Sequence, residues 1–266
     1  MALPWFDLQR AAYNDSANDG FWKRGTDGKI CDAEGKSQSR EGPTWNFSHP
    51  AAANYWVDEV VGELTREAPA INSVFFDETD YEFCGGGNSC GGPCGGLAPH
   101  CDWAQLYRDK IAALRRTAIK LNQAGIWPMF SVINQPGSKR CGGLDYSEYF
   151  DALSDVGWIR FYEFFDFSVL ENFVHETALG LPVVVHARAL DTASLASFLI
   201  GQGPYTYFGT SRGWTDNDWS WHADYDVRYG KPLGPPVKNA SGWFREFSGC
   251  SVFVAGAHNA SITLKK

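Results

Sequence analysis

The residues of this chain best placed to do chemistry are carboxylates that follow apolar runs. Ile71-Asn72-Ser73-Val74-Phe75-Phe76 leads directly into Asp77-Glu78-Thr79-Asp80, three acids within four residues. A second acid, Glu163, stands near the end of the apolar run Gly157-Trp158-Ile159-Arg160-Phe161-Tyr162-Glu163-Phe164. Two carboxyl groups converging on one pocket supply a proton donor and either a nucleophile or a base that activates water. Asp77 is the candidate nucleophile, ionised and held by neighbouring donors. Glu163 is the candidate general acid and base, its proton retained by the apolar surroundings of Phe161, Phe164 and Phe165. Glu78 and Asp166 are alternatives for these roles. The purely structural alternatives are a helix cap or loop start for the acids after Phe76, and an ion pair of Glu163 with Arg160 or Arg188.

These acids need strands behind them, and the chain alternates strand-like and helix-like segments. Ala2 to Asp7 reads as a first strand, followed by a polar excursion to Ser48. Ser48 is a plausible N-cap for a helix with Pro50 in its first turn and the apolar stripe Tyr55, Trp56, Val60, Val61 and Leu64. Ile71 to Phe76 is the next strand. Trp103 to Gln123 is a strong helix, with Leu106, Ile111, Leu114, Ala118 and Leu121 on one face and Gly125 as its stop. Trp127 to Ile133 is a strand that delivers Asn134, and Tyr146 to Ser154 is a short helix. The Trp158 strand, a helix over Phe167 to Leu179, a strand over Leu181 to Val185 delivering His186 and Arg188, a helix over Ala193 to Ile200 and a strand over Tyr205 to Phe208 complete the series. A Trp-rich loop from Gly213 to Trp221 follows.

Strands and helices alternating at these lengths predict an α/β fold with a parallel sheet, either a (β/α)8 TIM-type barrel or a doubly wound sheet. No G-x-G-x-x-G, Walker or nucleophile-elbow sequence follows any strand, which weakens the nucleotide-binding and α/β-hydrolase classes. Polar residues at successive strand ends suit a barrel, whose site lies at the C-terminal ends of its strands. Only six strands are legible, so the barrel is expected to lack two of its eight. Residues 1–222 are read as the barrel domain, with a Cys/Gly-rich loop at 84–101. Residues 223–266 are read as a β extension, a hairpin from Trp243 to Leu264 around Ser248-Gly249. Asn134, His186, Arg188 and Trp214 are candidate substrate contacts, although a lone strand-end histidine is more often structural.

Composition narrows the ligand. A net charge of −8 and a pI near 5.2, with no basic block, argue against nucleic acid and anionic membrane surfaces. No run approaches the ~20 apolar residues of a membrane span. Eleven tryptophans exceed what a core usually needs, and Trp45, Trp214, Trp219 and Trp221 sit among Gly, Asn and Asp. Flat rings beside polar side chains suit sugars; the alternative is that they staple loops to the body. Neither cofactor nor metal is expected. The six histidines form no H-x-H or H-E-x-x-H pair.

Four of the seven cysteines, Cys84, Cys90, Cys94 and Cys101, lie in one Gly-rich loop with almost nothing apolar to pack. Covalent staples are the simplest way to order such a segment. A zinc site including His100 is the competing reading, but no C-x2-C knuckle is present. Sequons at Asn14, Asn46, Asn239 and Asn259 point the same way, to a secreted or secretory-lumen glycoprotein. The first residues carry no signal peptide, so that reading expects a leader removed or a longer chain.

Three stretches taken in order resemble a known family. They are the helix opening Asn46-Phe47-Ser48-His49-Pro50 running to Tyr55-Trp56, the strand Val74-Phe75-Phe76-Asp77-Glu78, and the tail Gly230-Lys231-Pro232-Leu233-Gly234-Pro235 through Gly242-Trp243-Phe244-Arg245-Glu246-Phe247. Together they resemble glycoside-hydrolase-like TIM-barrel proteins, relatives of α-galactosidase and dextranase-type barrels. The resemblance implies a barrel with a small C-terminal β extension, Ala2 to Asp7 as its third strand, the first two βα units absent, and Asp77 as the nucleophile at the end of the fourth strand. It implies hydrolysis of an O-glycosidic bond in an oligo- or polysaccharide. A non-catalytic carbohydrate-binding protein on a degenerate barrel, and a metal-dependent hydrolase or lyase using Asp77, Glu78, Asp80 and His186, are the alternatives.

Overall fold

The computed structural model describes residues 16–22, 24, 45–67, 71–76, 103–131, 150–162, 165–211 and 221–265, the side chains of residues 64 and 103–107 excepted. The chain folds as two compact units, Met1–Trp158 and Ile159–Lys266.

In the first unit a 3-10 turn, Ser16–Phe21, brings Trp22 into an antiparallel bridge with Trp45. Phe21, Trp22 and Trp45 form an aromatic cluster against Tyr55 and Trp56, with Trp45 only 7% exposed. Trp45 is therefore a staple rather than a sugar-facing ring. Helix α1 (Pro50–Tyr55) continues through a π-helical turn, Trp56–Val60, into α2 (Val61–Glu67). Its N-cap is His49, not Ser48, with Pro50 just inside the start, where a missing N–H costs nothing.

Strand β1 (Ser73–Phe76) pairs in parallel with β2 (Trp127–Ser131), from Ser73 opposite Trp127 to Phe76 opposite Phe130. The crossover between them includes α3 (Trp103–Gln123), which has the span expected of it. Ile111, Leu114, Ala118 and Leu121 are buried, as the apolar spacing requires. Gly125 ends the helix at φ +75°, and the N–H of Ile126 returns to the carbonyl of Leu121 at 2.9 Å, closing the last turn. Helical residues 150–152 fall within the segment expected over Tyr146 to Ser154.

In the second unit β3 (Ile159–Tyr162), β4 (Val183–Ala187) and β5 (Thr206–Thr210) are parallel neighbours in that order. Between them lie α4 (Leu170–Ala178), preceded by the 3-10 turn Phe167–Val169, and α5 (Thr192–Gly201). Alternate residues Val183, Val185 and Ala187 pack with Phe173, Leu195, Phe198 and Leu199 in one core. Helix α5 approaches α4 so closely that a Cβ on Gly201 would meet the Phe173 ring at 2.3 Å.

The C-terminal segment is larger than the hairpin expected. It is a separate antiparallel sheet, β6 (Val237–Asn239), β7 (Gly242–Glu246), β8 (Cys250–Gly256) and β9 (Asn259–Leu264). Ser248-Gly249 is the two-residue turn between β7 and β8, closed by Phe247 N–H to the Cys250 carbonyl at 2.8 Å. Its inner face, with Val252 and Val254, belongs to the α5 core. Arg245 fixes this packing, donating from Nη1 to the carbonyls of Leu199, Ile200 and Gln202 at 3.2, 2.8 and 2.7 Å. These are carbonyls at the α5 C-terminus, where cations are favoured. Among the described residues the parallel strands form no closed barrel, and no helix is long and apolar enough to cross a membrane.

The core of the second unit holds an ion pair. Arg160 on β3 is 1% exposed and Glu176 on α4 is fully buried, with Arg160 Nε 3.5 Å from Glu176 Oε1. The Tyr162 hydroxyl donates to Glu176 Oε2 at 2.8 Å, and the Arg160 guanidinium lies 4.3 Å from the centre of the Tyr162 ring. Removing one charge strands the other, at a cost of about 3–5 kcal/mol, whereas replacing both by apolar groups is often neutral. Glu176→Gln is therefore expected to lower the unfolding free energy by about 3–5 kcal/mol in urea titrations. Arg160→Met combined with Glu176→Leu should recover most of that loss.

Burial, then the charge of Glu176, pushes the Tyr162 hydroxyl well above its ordinary range. Burial, then Asp224, pushes Tyr229 up to about 12. The folded state thus keeps protons that the unfolded chain releases near pH ~10. This contribution to stability is complete below pH ~10 and is lost as pH rises towards about 12. Absorbance at 295 nm should show these two tyrosines ionising late, together with the loss of near-ultraviolet circular dichroism.

Candidate functional site

Parallel strands present their C-terminal ends on one edge, and β4 and β5 end side by side, His186 opposite Gly209 and Ala187 opposite Thr210. Strand β4 runs two residues further than its apolar content implies, so His186 lies on the strand and Arg188 is the first residue beyond it. Strand alternation sends Val185 and Ala187 to the helices and His186 to the opposite face. There its ring stacks on Phe161, centroids 6.3 Å apart at 18°. Among the described residues, a Cβ built on Gly209 beside it meets nothing within 4 Å. His186 Nε2 lies 2.8 Å from Ser211 Oγ, and the Ser211 N–H donates to the Ala187 carbonyl at 3.3 Å. The imidazole is thereby oriented at the strand edge by a hydroxyl able to donate or accept.

A second group stands at the end of β5. The Thr210 hydroxyl and the Tyr225 phenol are 3.0 Å apart, and the Tyr225 ring also packs on Phe208. Tyr225 belongs to a 3-10 turn, Ala223–Asp226, capped by His222. Trp221 meets the Tyr225 ring at 5.3 Å and 60°, and its indole N–H donates to Asp226 Oδ2 at 2.8 Å. The Trp221 side chain is nevertheless 60% exposed.

Of the candidate residues, Asp77, Glu78, Asn134, Glu163, Trp214, Cys84, Cys90, Cys94, Cys101 and Asn14 lie outside the described residues. The described part of strand β1 reaches Phe76, the residue before Asp77, and that of β3 reaches Tyr162, the residue before Glu163. Asp166 caps the 3-10 turn, accepting from the Ser168 N–H at 2.7 Å and from its hydroxyl. Arg160 pairs with Glu176. Arg188 is exposed next to His186. Asn239 and Asn259 are exposed, while the Asn46 amide donates to the Gly20 carbonyl at 3.4 Å. Among the described residues no three His, Cys, Asp or Glu side chains gather as a metal site. Sequence reasoning missed Ser211, Tyr225 and Asp226. Extending the Tyr205 strand by two residues would have placed Ser211 just past its end, whereas no local signal links Tyr225 to Thr210.

Residues 186–251 match the family described as hypothetical glycosyl hydrolase family 15. The matched segment opens at His186 and contains Ser211, Trp221, Tyr225 and Asp226, then runs through β7 to the start of β8. It supports a glycoside-hydrolase-like relationship over about a quarter of the chain. No curated protein matches the chain.

The Thr210–Tyr225 contact helps tie the Trp221 turn to the sheet. Tyr225→Phe should lower the unfolding free energy by about 1 kcal/mol. It should also speed amide exchange at Tyr225 and Val227 while leaving β4 and β5 protected, as read by hydrogen exchange.

Proposed function

We propose that the protein is a glycoside hydrolase of barrel type that cleaves an O-glycosidic bond in an oligo- or polysaccharide. The observation that carries this reading is the match of residues 186–251 to a glycosyl hydrolase family, which begins at His186 on the C-terminal edge of β4, the parallel neighbour of β3, whose last described residue, Tyr162, precedes Glu163. In α/β folds that edge is where ligands and catalytic groups collect. Glu163 protonates the leaving oxygen and Asp77 attacks the anomeric carbon or activates water against it. His186, oriented by Ser211, and Arg188 beside it bind substrate hydroxyls or steady the ionised acid. Asn134 and Trp214 serve as further sugar contacts.

The same reading places the chain in an oxidising secretory compartment. Its support is the cysteine loop 84–101, which suits disulfides, and the exposure of the sequon residues Asn239 and Asn259. A second reading, carbohydrate binding without catalysis, draws on the exposed Trp221 ring.

Asp77→Asn and Glu163→Gln separate the two. For a hydrolase, each variant should lose about 10²–10⁴-fold in turnover against a panel of aryl glycosides while keeping its circular dichroism spectrum. Native-like turnover in both variants would remove the paired carboxylates from the mechanism. Absence of turnover in the native protein, with glycan binding retained, would favour the binding protein.

A further inference from the structure

Trp221 is the most exposed of the tryptophans whose side chains are described, at 60%, whereas Trp22, Trp45 and Trp158 are 2%, 7% and 2% exposed. An exposed indole left free to rotate would lose entropy on binding anything. This one is already held, by its N–H to Asp226 and by its edge contact with Tyr225, which is anchored to Thr210 at the end of β5. These contacts fix the ring's orientation yet cover little of it. A loop staple would bury the ring, as Trp45 does, so stapling does not account for Trp221. The surroundings select the ligand. Asp226 puts a carboxylate beside the ring, and the chain carries a net charge of −8. Both disfavour an anionic partner.

We propose that Trp221 and Asp226 form a stacking subsite for a neutral pyranoside ring, the apolar C–H face of the sugar lying on the indole and a hydroxyl donating to the Asp226 carboxylate. The proposal rests on the reading of the strand edge as a carbohydrate site and assigns the sugar class held next to it. The subsite holds a substrate unit away from the bond being cleaved, so it governs affinity for oligosaccharides rather than the chemical step.

Calorimetric titration tests this with maltohexaose, cellohexaose, xylohexaose and chitohexaose as neutral probes and hexagalacturonate as the anionic control, on the native chain and on Trp221→Ala, Trp221→Phe and Asp226→Asn. At least one neutral hexasaccharide should bind, about tenfold or more weakly to Trp221→Ala, with Trp221→Phe recovering part of the loss. Asp226→Asn should weaken the same probe. Equal binding by Trp221→Ala, preference for hexagalacturonate, or no neutral probe bound would overturn the subsite. Hydrolysis of monosaccharide aryl glycosides, measured in parallel, reads the catalytic proposal separately. A chain that binds through Trp221 but hydrolyses nothing keeps the subsite and loses the hydrolase.

Discussion

The buried pairing of Arg160 with Glu176 is the constraint on which the second unit depends. Two charges without water are tolerable only when each meets the other, and here Tyr162 adds a hydrogen bond and a ring face. The pair joins β3 to α4 and fixes which way β3 faces. With Arg160 and Tyr162 turned to the helix, Phe161 must turn to the other face, where it supports His186. The ion pair makes the choice, because a one-residue slip would leave Glu176 buried against an apolar side chain.

The C-terminal sheet is coupled to the same unit from the other end of α5. Arg245 takes three carbonyls at the helix terminus, that of Leu199 also accepting from the Gln202 N–H, and Val252 and Val254 complete the core over α5. The sheet is thus part of the support for α5, which packs behind β4 and β5. The segment matching the glycosyl hydrolase family spans both the strand edge and this Arg245 strand, so the similarity covers a physically connected piece of structure.

Much of this was legible from residue patterns. Helix α3 has its apolar period, its length and its glycine stop written in the sequence, and the parallel strands stand where Val, Ile and Phe concentrate. The errors lie where side-chain period carries no information. Strand β6 is wholly exposed, so no alternation marks it, and the four-stranded sheet was read as a hairpin. The apolar content of β4 stops at Val185, yet its ladder continues through His186 and Ala187 because β5 offers partners there. At the site, His186 and Arg188 were visible as polar residues ending an apolar run. The contacts of His186 with Ser211 and of Thr210 with Tyr225 cross 25 and 15 residues of chain, and only the fold brings them together.

The central claim is that two carboxylates following β1 and β3 act on one glycosidic bond. The separation of the Asp77 and Glu163 carboxyl groups in a crystal structure tests it most directly. The account predicts about 5–5.5 Å for a retaining enzyme or roughly 6.5–9.5 Å for an inverting one, on the edge that carries His186. A separation well beyond that range, or a carboxyl group turned into an ion pair away from that edge, would contradict it.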